Sequence, residues 1–206
     1  MRFIRISEVG HERAAKEAAE VLLRGGVVLY PTDTLYGLGV VHDNQDALAR
    51  LRTLKGRDVK KPISLIVSDH RALELHADMS EGARALAAQH LPGALTLVLP
   101  AREHIPQDFV MYGGVGLRIP DDPFTMLLAR TLGKPYTATS ANISGHATQE
   151  DPMSIVIALG LRTELIDLVI DDGERAGGTG STVVRYTDDT PVILREGRIP
   201  RDVLGL

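Results

Sequence analysis

The sequence predicts an α/β (α+β) fold: a single domain built on one mixed parallel and antiparallel sheet flanked by helices. Three observations carry this. Segments with apolar residues at helical spacing alternate along the whole chain with short apolar runs of strand length. The 206 residues are 44% apolar, enough to bury a core at the size of one domain. No composition break, long linker, internal repeat or low-complexity run divides the chain, so one domain over 1–206 is expected.

The elements follow in order. His11 to Arg24 carries Ala14, Ala15, Ala18, Val21 and Leu22 at helical spacing, and Gly25–Gly26 stops the helix. Val27 to Tyr30 reads as a buried strand ended by Pro31, and Leu38 to Val41 as a second. Asp43 or Asn44 caps a helix that runs through Leu54. Ile63 to Val67 is a strand, Asp69 to Leu75 a short helix, and Ser80 with Glu81 opens a helix that reaches His90. Leu95 to Leu99 and Val115 to Ile119 are strands, Asp122 to Leu132 is helical, and Tyr136 to Ala138 is a short strand. Pro152 to Leu159 is helical, and strands at 168–170, 181–186 and 192–194 complete the pattern. Met1 to Gly10 carries charges without an apolar centre; it receives no element and does not read as a secretory signal.

Composition narrows the function classes. With no cysteine, the chain has no disulfide framework, zinc–thiolate site, iron–sulfur cluster or thiol nucleophile. No apolar run approaches the roughly 20 residues of a membrane helix, so the expectation is a cytoplasmic, membrane-free protein. Net charge is -4, yet Arg50, Arg52, Lys55, Arg57, Lys60 and Lys61 crowd together. Local inversion of that kind favours a polyanion, nucleotide phosphate or RNA, although a solvated helix face is the usual fate of Arg50 and Arg52.

Several loops are rich in groups that bind small polar ligands. Pro31 to Gly39 packs Thr32, Asp33, Thr34 and Tyr36 against two glycines after a strand, which fits either a ligand loop or a plain turn. Arg118 stands among apolar strand residues and needs a carboxylate or a ligand, since an unpaired buried arginine is costly. Thr137 to Gly145 places four hydroxyls and an amide at a strand end, able to cradle phosphate, ribose or an amino acid, or to cap their own turn. Gly177 to Thr182 is glycine-rich enough for an anion nest. None of the seven histidines forms a helical metal pair, and no Gly-x-Ser-x-Gly nucleophile elbow exists. No residue stands out as a nucleophile.

Taken as an ordered set, these segments resemble the YrdC-like domain family. The set comprises Pro31-Thr32-Asp33-Thr34-Leu35-Tyr36-Gly37-Leu38-Gly39, Lys55-Gly56-Arg57 with Lys61-Pro62, Pro92-Gly93-Ala94-Leu95-Thr96, Arg118-Ile119-Pro120, Ser140-Ala141-Asn142-Ile143-Ser144-Gly145, Ser181-Thr182-Val183-Val184 and Leu194-Arg195-Glu196-Gly197. It runs from about Gly26 to Gly197, inside a motif-bearing core of about 10–198. The resemblance implies a twisted mixed sheet with a basic central cleft and threonylcarbamoyl-AMP synthase activity. In that reaction L-threonine, bicarbonate and ATP give threonylcarbamoyl-AMP and pyrophosphate, and downstream tRNA-modification proteins use the product.

Carried onto this chain, the resemblance has Thr34 and Arg118 hold threonine, with Ala138 and Ser181 lining its pocket. Lys55, Arg57 and Lys61 would hold the ATP phosphates, Lys55 and Arg57 as the catalytic pair. Ser140, Asn142, Thr148 and Arg195 would complete the nucleotide site. Mg²⁺ would accompany ATP, with no metal ligand assigned among the side chains. Two departures stand out: 63–67 holds no histidine where many synthases have one, and the expectation is a chain without the extra C-terminal domain of longer members. The ending Asp188 to Gly197 and the stretch Lys61 to Leu65 lean towards the YciO-like branch of the family, and Lys55, Arg57 and Lys61 with Ser140-Ala141-Asn142 lean back towards the synthase. The alternative is a non-catalytic protein that binds double-stranded RNA or tRNA. Its weakness is aromatic content, three Phe and five Tyr, because RNA binders stack bases on exposed rings.

Overall fold

The computed structural model describes residues 1–56, 63–175, 178–188 and 190–206. In chain order these form β1 (Arg2–Arg5), α1 (Ile6–Val9), α2 (His11–Leu23), β2 (Val28–Tyr30), β3 (Gly37–Gly39), α3 (Gln45–Lys55), β4 (Ser64–Ile66), α4 (His70–His76), α5 (Glu81–His90) and β5 (Leu95–Leu99). A 3₁₀ turn (Gln107–Phe109) leads to β6 (Val110–Met111), β7 (Gly114–Arg118), α6 (Pro123–Leu132), β8 (Tyr136–Ser140) and α7 (Pro152–Leu159). A 3₁₀ stretch (Gly160–Leu165) precedes β9 (Leu168–Asp171), β10 (Thr182–Arg185) and β11 (Val192–Arg195). The strands pair in the order β1-β9-β2-β3-β8-β4-β7-β5-β10-β11, with β6 on β7. Pairs β1/β9, β2/β9, β4/β7 and β5/β10 are parallel and the others antiparallel, so the sheet is mixed as expected.

Side-chain alternation splits the sheet into two faces. Val169 of β9, Leu29 of β2, Leu97 of β5 and Leu117 of β7 point into the larger core, which α3, α4, α5 and α7 cover with residues such as Leu51, Leu73, Leu86 and Ile155. Their neighbours Leu168 and Val28 point the other way, into a second core under α2 and α6. That second core covers the β1 to β8 half of the sheet. On the other half Ser64, Thr96, Gly116, Arg118 and Val183 line an open cavity instead. The sheet therefore has one fully covered face and one half-covered face, and the uncovered half is the cleft.

Local chemistry explains the boundaries. Asn44 caps α3 by accepting from the Ala47 amide at 2.9 Å, Ser80 caps α5, and Asp122 caps α6 ahead of Pro123. Gly56 adopts the left-handed conformation (φ 55°) that closes α3, so the helix ends with Lys55 at the cleft. One expectation is corrected: Met1 to Gly10 holds β1 and α1, because Arg2 to Arg5 gains an edge position on β9.

Away from the cleft, three histidines converge. His76 Nδ1 and His104 Nε2 lie 2.8 Å apart, and the His42 ring centre is 6.2 Å from that of His76. Desolvation first, then His104 and His42, bring the His76 imidazolium down to about 4. Unfolded histidine titrates near 6.5, so the unfolded chain binds this proton more tightly than the folded one. The contribution is complete above about pH 6.5 and is lost as pH falls from there through 4. Partial exposure reduces the loss to the order of 1–2 kcal/mol. Thermal denaturation at pH 7 and pH 4.5 is expected to show a larger fall in Tm for the wild type than for His76→Gln.

Candidate active site

The cleft is a cavity of about 500 Å³, within the range of small-molecule sites. Its floor is β7, where Gly114, Gly116 and Arg118 share the face opposite the larger core. A Cβ at Gly116 would stand 2.7 Å from Ser64 Oγ and 3.2 Å from its Cβ, so a larger residue would push the Ser64 side chain aside and narrow the floor.

The Pro31 to Gly39 loop forms one wall and is organised by its own hydroxyls. The Thr32 hydroxyl donates to the Leu35 carbonyl (2.7 Å) and accepts from the Thr34 and Leu35 amides (3.1 and 3.2 Å). This is a side-chain-stabilised turn, and it turns Asp33 and Thr34 towards β7. Arg118 donates through Nη1 to Thr34 Oγ1 (3.0 Å), through Nη2 to the Asp33 carboxylate, and through Nε to the Gly93 carbonyl (3.4 Å). The Arg118 and Asp33 side chains are only 7% and 11% exposed. The carboxylate that Arg118 requires is thus supplied by the chain itself.

A second guanidinium faces the same space. Arg195 on β11 donates to the Ser181 carbonyl at 2.8 Å, and Ser181 Oγ lies 2.8 Å from Thr96 Oγ1. Burial, and after it the nearby Arg118 charge, lower the Arg195 pKa. Among the described residues no carboxylate lies within ion-pair distance of Arg195. Arg118 is buried and paired with Asp33, whereas Arg195 is solvent-exposed and shares the cavity wall with Glu196, so the Arg195 guanidinium, without an ion-pair partner among the described residues, is the group left to meet an anion there.

At the other end, the strand-terminal hydroxyl cluster rests on Lys55. Its ammonium, 2% exposed by residue, donates to the Ser140 carbonyl, the Asn142 carbonyl (3.0 Å) and Asn142 Oδ1 (3.1 Å). Ser140 Oγ donates to the same Asn142 oxygen at 2.7 Å, and the Ser144 amide donates to the Lys55 carbonyl at 2.9 Å. Lys55 therefore ties the C-terminus of α3 to the loop after β8.

The structure brings most of the expected site residues together. Thr34, Arg118, Ala138, Ser140, Ser181 and Arg195 line one cavity, and Lys55 and Asn142 adjoin it through Ser140. Thr148, in the loop beyond Asn142, is not among the lining residues. Arg57 and Lys61 lie outside the described residues. For Arg50 and Arg52, where a solvated helix face is the expectation, the structure shows ion pairs across the fold instead. Arg50 pairs with Asp167 (2.9 Å) and Arg52 with Asp108 (2.8 Å), so both join α3 to neighbouring segments.

Sequence reasoning placed Thr32 and Asp33 in a candidate ligand loop and Thr96 in a motif without giving any of them a contact, and it did not single out Ser64 or Tyr112. Asp33 had a signal, the carboxylate that the strand-borne Arg118 demanded. Tyr112 had none. Its positive φ (55°), followed by Gly113 (81°), makes the tight β6–β7 turn that leaves it 55% exposed beside the cavity. Among the described residues no group of three or more histidine or acidic side chains is arranged to hold a metal ion. No helix among them is long and apolar enough to cross a membrane.

Comparison with known proteins decides the relationship. A family model named for Sua5, YciO and YrdC, described as telomere recombination, matches residues 20–197. The chain belongs to the Sua5/YciO/YrdC family. The threonylcarbamoyl-AMP synthase of Bacillus subtilis is 36% identical over 189 residues, covering 90% of this chain and 54% of that protein. The structure of Pyrococcus abyssi Sua5 complexed with L-threonine superposes with a TM-score of 0.86 at 33% identity, covering 98% of this chain and 58% of Sua5. Escherichia coli YciO superposes with a TM-score of 0.83 at 28% identity, covering 96% and 95%. The chain thus spans little more than half of those two longer relatives and nearly all of YciO. The Sua5/YciO/YrdC fold, a mixed sheet with flanking helices in one domain, is the one described above.

Proposed function

We propose that the chain is a threonylcarbamoyl-AMP synthase, joining L-threonine, bicarbonate and ATP into threonylcarbamoyl-AMP with release of pyrophosphate. The observation that carries this reading is the buried Arg118 guanidinium, with the exposed Arg195 close by, in one cavity that the Ser140 hydroxyl also lines. Such a cavity holds an amino-acid carboxylate at one end and a nucleotide at the other. Support comes from a synthase relative at 36% identity and from a relative solved with L-threonine.

In this reading Thr34, Arg118, Ala138 and Ser181 surround threonine. Ser140, Asn142 and Arg195 contact the nucleotide, and Lys55 positions the loop that carries two of them. Arg57 and Lys61 are assigned to the phosphates on the family resemblance alone. The threonine amine attacks the bicarbonate-derived carbon with loss of water, and a carbamate oxygen then attacks the α-phosphorus as pyrophosphate departs. Neither step needs a protein nucleophile, and positioning with charge neutralisation supplies the catalysis. Among the described residues no cluster of three or more acidic or histidine side chains gathers at the cavity, which suits a Mg²⁺ carried by the phosphates and its own waters. Its contribution when bound is to offset triphosphate charge.

The purified protein with ATP, Mg²⁺ and bicarbonate is expected to release pyrophosphate only when L-threonine is added. Absent or threonine-independent release contradicts the assignment.

A further inference from the structure

The buried ion pair in the cleft carries a second message, which rests on the reading of this end of the cavity as an amino-acid site. We propose that Asp33 is the ammonium-recognising residue of the cleft, and that an α-amino acid binds by exchanging its own two charges for the internal Asp33–Arg118 pair.

The reasoning starts from occupancy. Each nitrogen of the Arg118 guanidinium has one N–H engaged, by Gly93, Thr34 and Asp33, three of its five donors. One N–H remains on each Nη, and the Arg118 side chain is only 7% exposed, so a carboxylate that grips both Nη groups crowds the Asp33 carboxylate at Nη2 and displaces it. Asp33 is itself buried, and a buried carboxylate stripped of its partner is strongly unfavourable. A ligand that brings only a carboxylate thus gains one ion pair and breaks another. A ligand that also brings a cation next to its carboxylate restores both, and an α-amino acid has that arrangement of charges.

The surroundings favour the same exchange. Arg195 lies close enough for the Arg118 charge to depress its pKa, so positive charge gathers beside Arg118 and favours the approach of a ligand carboxylate, while Arg195 itself stays with the nucleotide. Thr34 Oγ1 already accepts from Arg118 at 3.0 Å, next to the Asp33 carboxylate. Asp33 stays anchored through the exchange, because the Arg198 guanidinium holds its backbone carbonyl and the Thr32 hydroxyl holds the turn. Only the Asp33 side chain needs to swing. Selection for the amino group thereby resides in one residue on the loop, while Arg118 selects the carboxylate.

The test is calorimetric titration of the full chain with three ligands. They are L-threonine, 3-hydroxybutyrate (the same skeleton without the amine) and 1-aminopropan-2-ol (without the carboxylate). For the wild type, exchange predicts that each one-charge ligand binds at least about 100-fold more weakly than threonine. In Asp33→Asn, threonine is expected to weaken at least about tenfold while 3-hydroxybutyrate tightens, because Arg118 no longer has an internal anion to displace. A wild type that binds 3-hydroxybutyrate as tightly as threonine overturns the exchange without reference to any variant. An Asp33→Asn protein in which both ligands weaken equally also overturns it, leaving Asp33 as a prop for Arg118. If the wild type does not bind threonine at all, the amino-acid reading of the cleft falls, and the exchange falls with it.

Discussion

Replacing Arg118 with methionine is expected to raise the Kd for L-threonine by about 100-fold or more, since truncating one member of a buried charge pair removes 2–5 kcal/mol of binding. ATP affinity should stay within about twofold, because the Ser140 cluster is held by Lys55 at the other end of the cavity. The same substitution strands Asp33, whose side chain is only 11% exposed, and should lower stability by about 3–5 kcal/mol. The two effects separate in the double variant Arg118→Met/Asp33→Asn. Neutralising the stranded carboxylate should recover much of the stability and none of the threonine affinity. Calorimetry and chemical denaturation of the two variants check this. Threonine binding that returns together with stability would show that Arg118 acts only by supporting the fold.

Lys55→Met carries the second large effect. Methionine keeps the length of the stem but removes the donor that satisfies the Ser140 carbonyl and both oxygens of Asn142 at a buried position. Each buried acceptor left without its partner costs about 1–3 kcal/mol, with partial relaxation. A loss of about 2–4 kcal/mol in denaturant unfolding is expected on that basis. The loop after β8 then loses its tie to α3, and the KM for ATP should rise about tenfold or more with a smaller change for threonine, as loss of positioning predicts. If ATP binding were untouched while stability fell, the Ser140–Asn142 loop would not belong to the nucleotide site.

These predictions depend on features that were unequally legible in the sequence. The helices and the interior strands were readable because burial on one face imposes spacing. Ala14, Ala18 and Leu22 mark α2, and the Leu95 to Leu99 run marks a strand that the structure reproduces residue for residue. Strand β1 was not readable, since an edge strand of four mostly exposed residues carries no apolar pattern and exists only through its pairing with β9. The site followed the same division. Hydroxyl- and glycine-rich loops announced a ligand cleft, and the apolar setting of Arg118 announced a missing carboxylate. That the carboxylate is Asp33 required the strand order, which places β3 and β7 in one sheet around β8 and β4. The structural position of Lys55 was hidden for a different reason. Two of its acceptors are backbone carbonyls, which every residue possesses and no sequence pattern reveals. Charge counting had therefore grouped Lys55 with Arg50 and Arg52, although the three engage different parts of the fold.

The most direct measurement of the central claim follows the carbon of bicarbonate. Incubation of the protein with ¹³C-bicarbonate, ATP, Mg²⁺ and L-threonine, followed by mass spectrometry, should yield an adenylate that carries both the label and the threonine mass. Omission of threonine or of ATP should abolish it, and Arg118→Met should deplete it. Pyrophosphate release with no labelled adenylate, or a labelled adenylate formed without threonine, would contradict the assignment of this cleft.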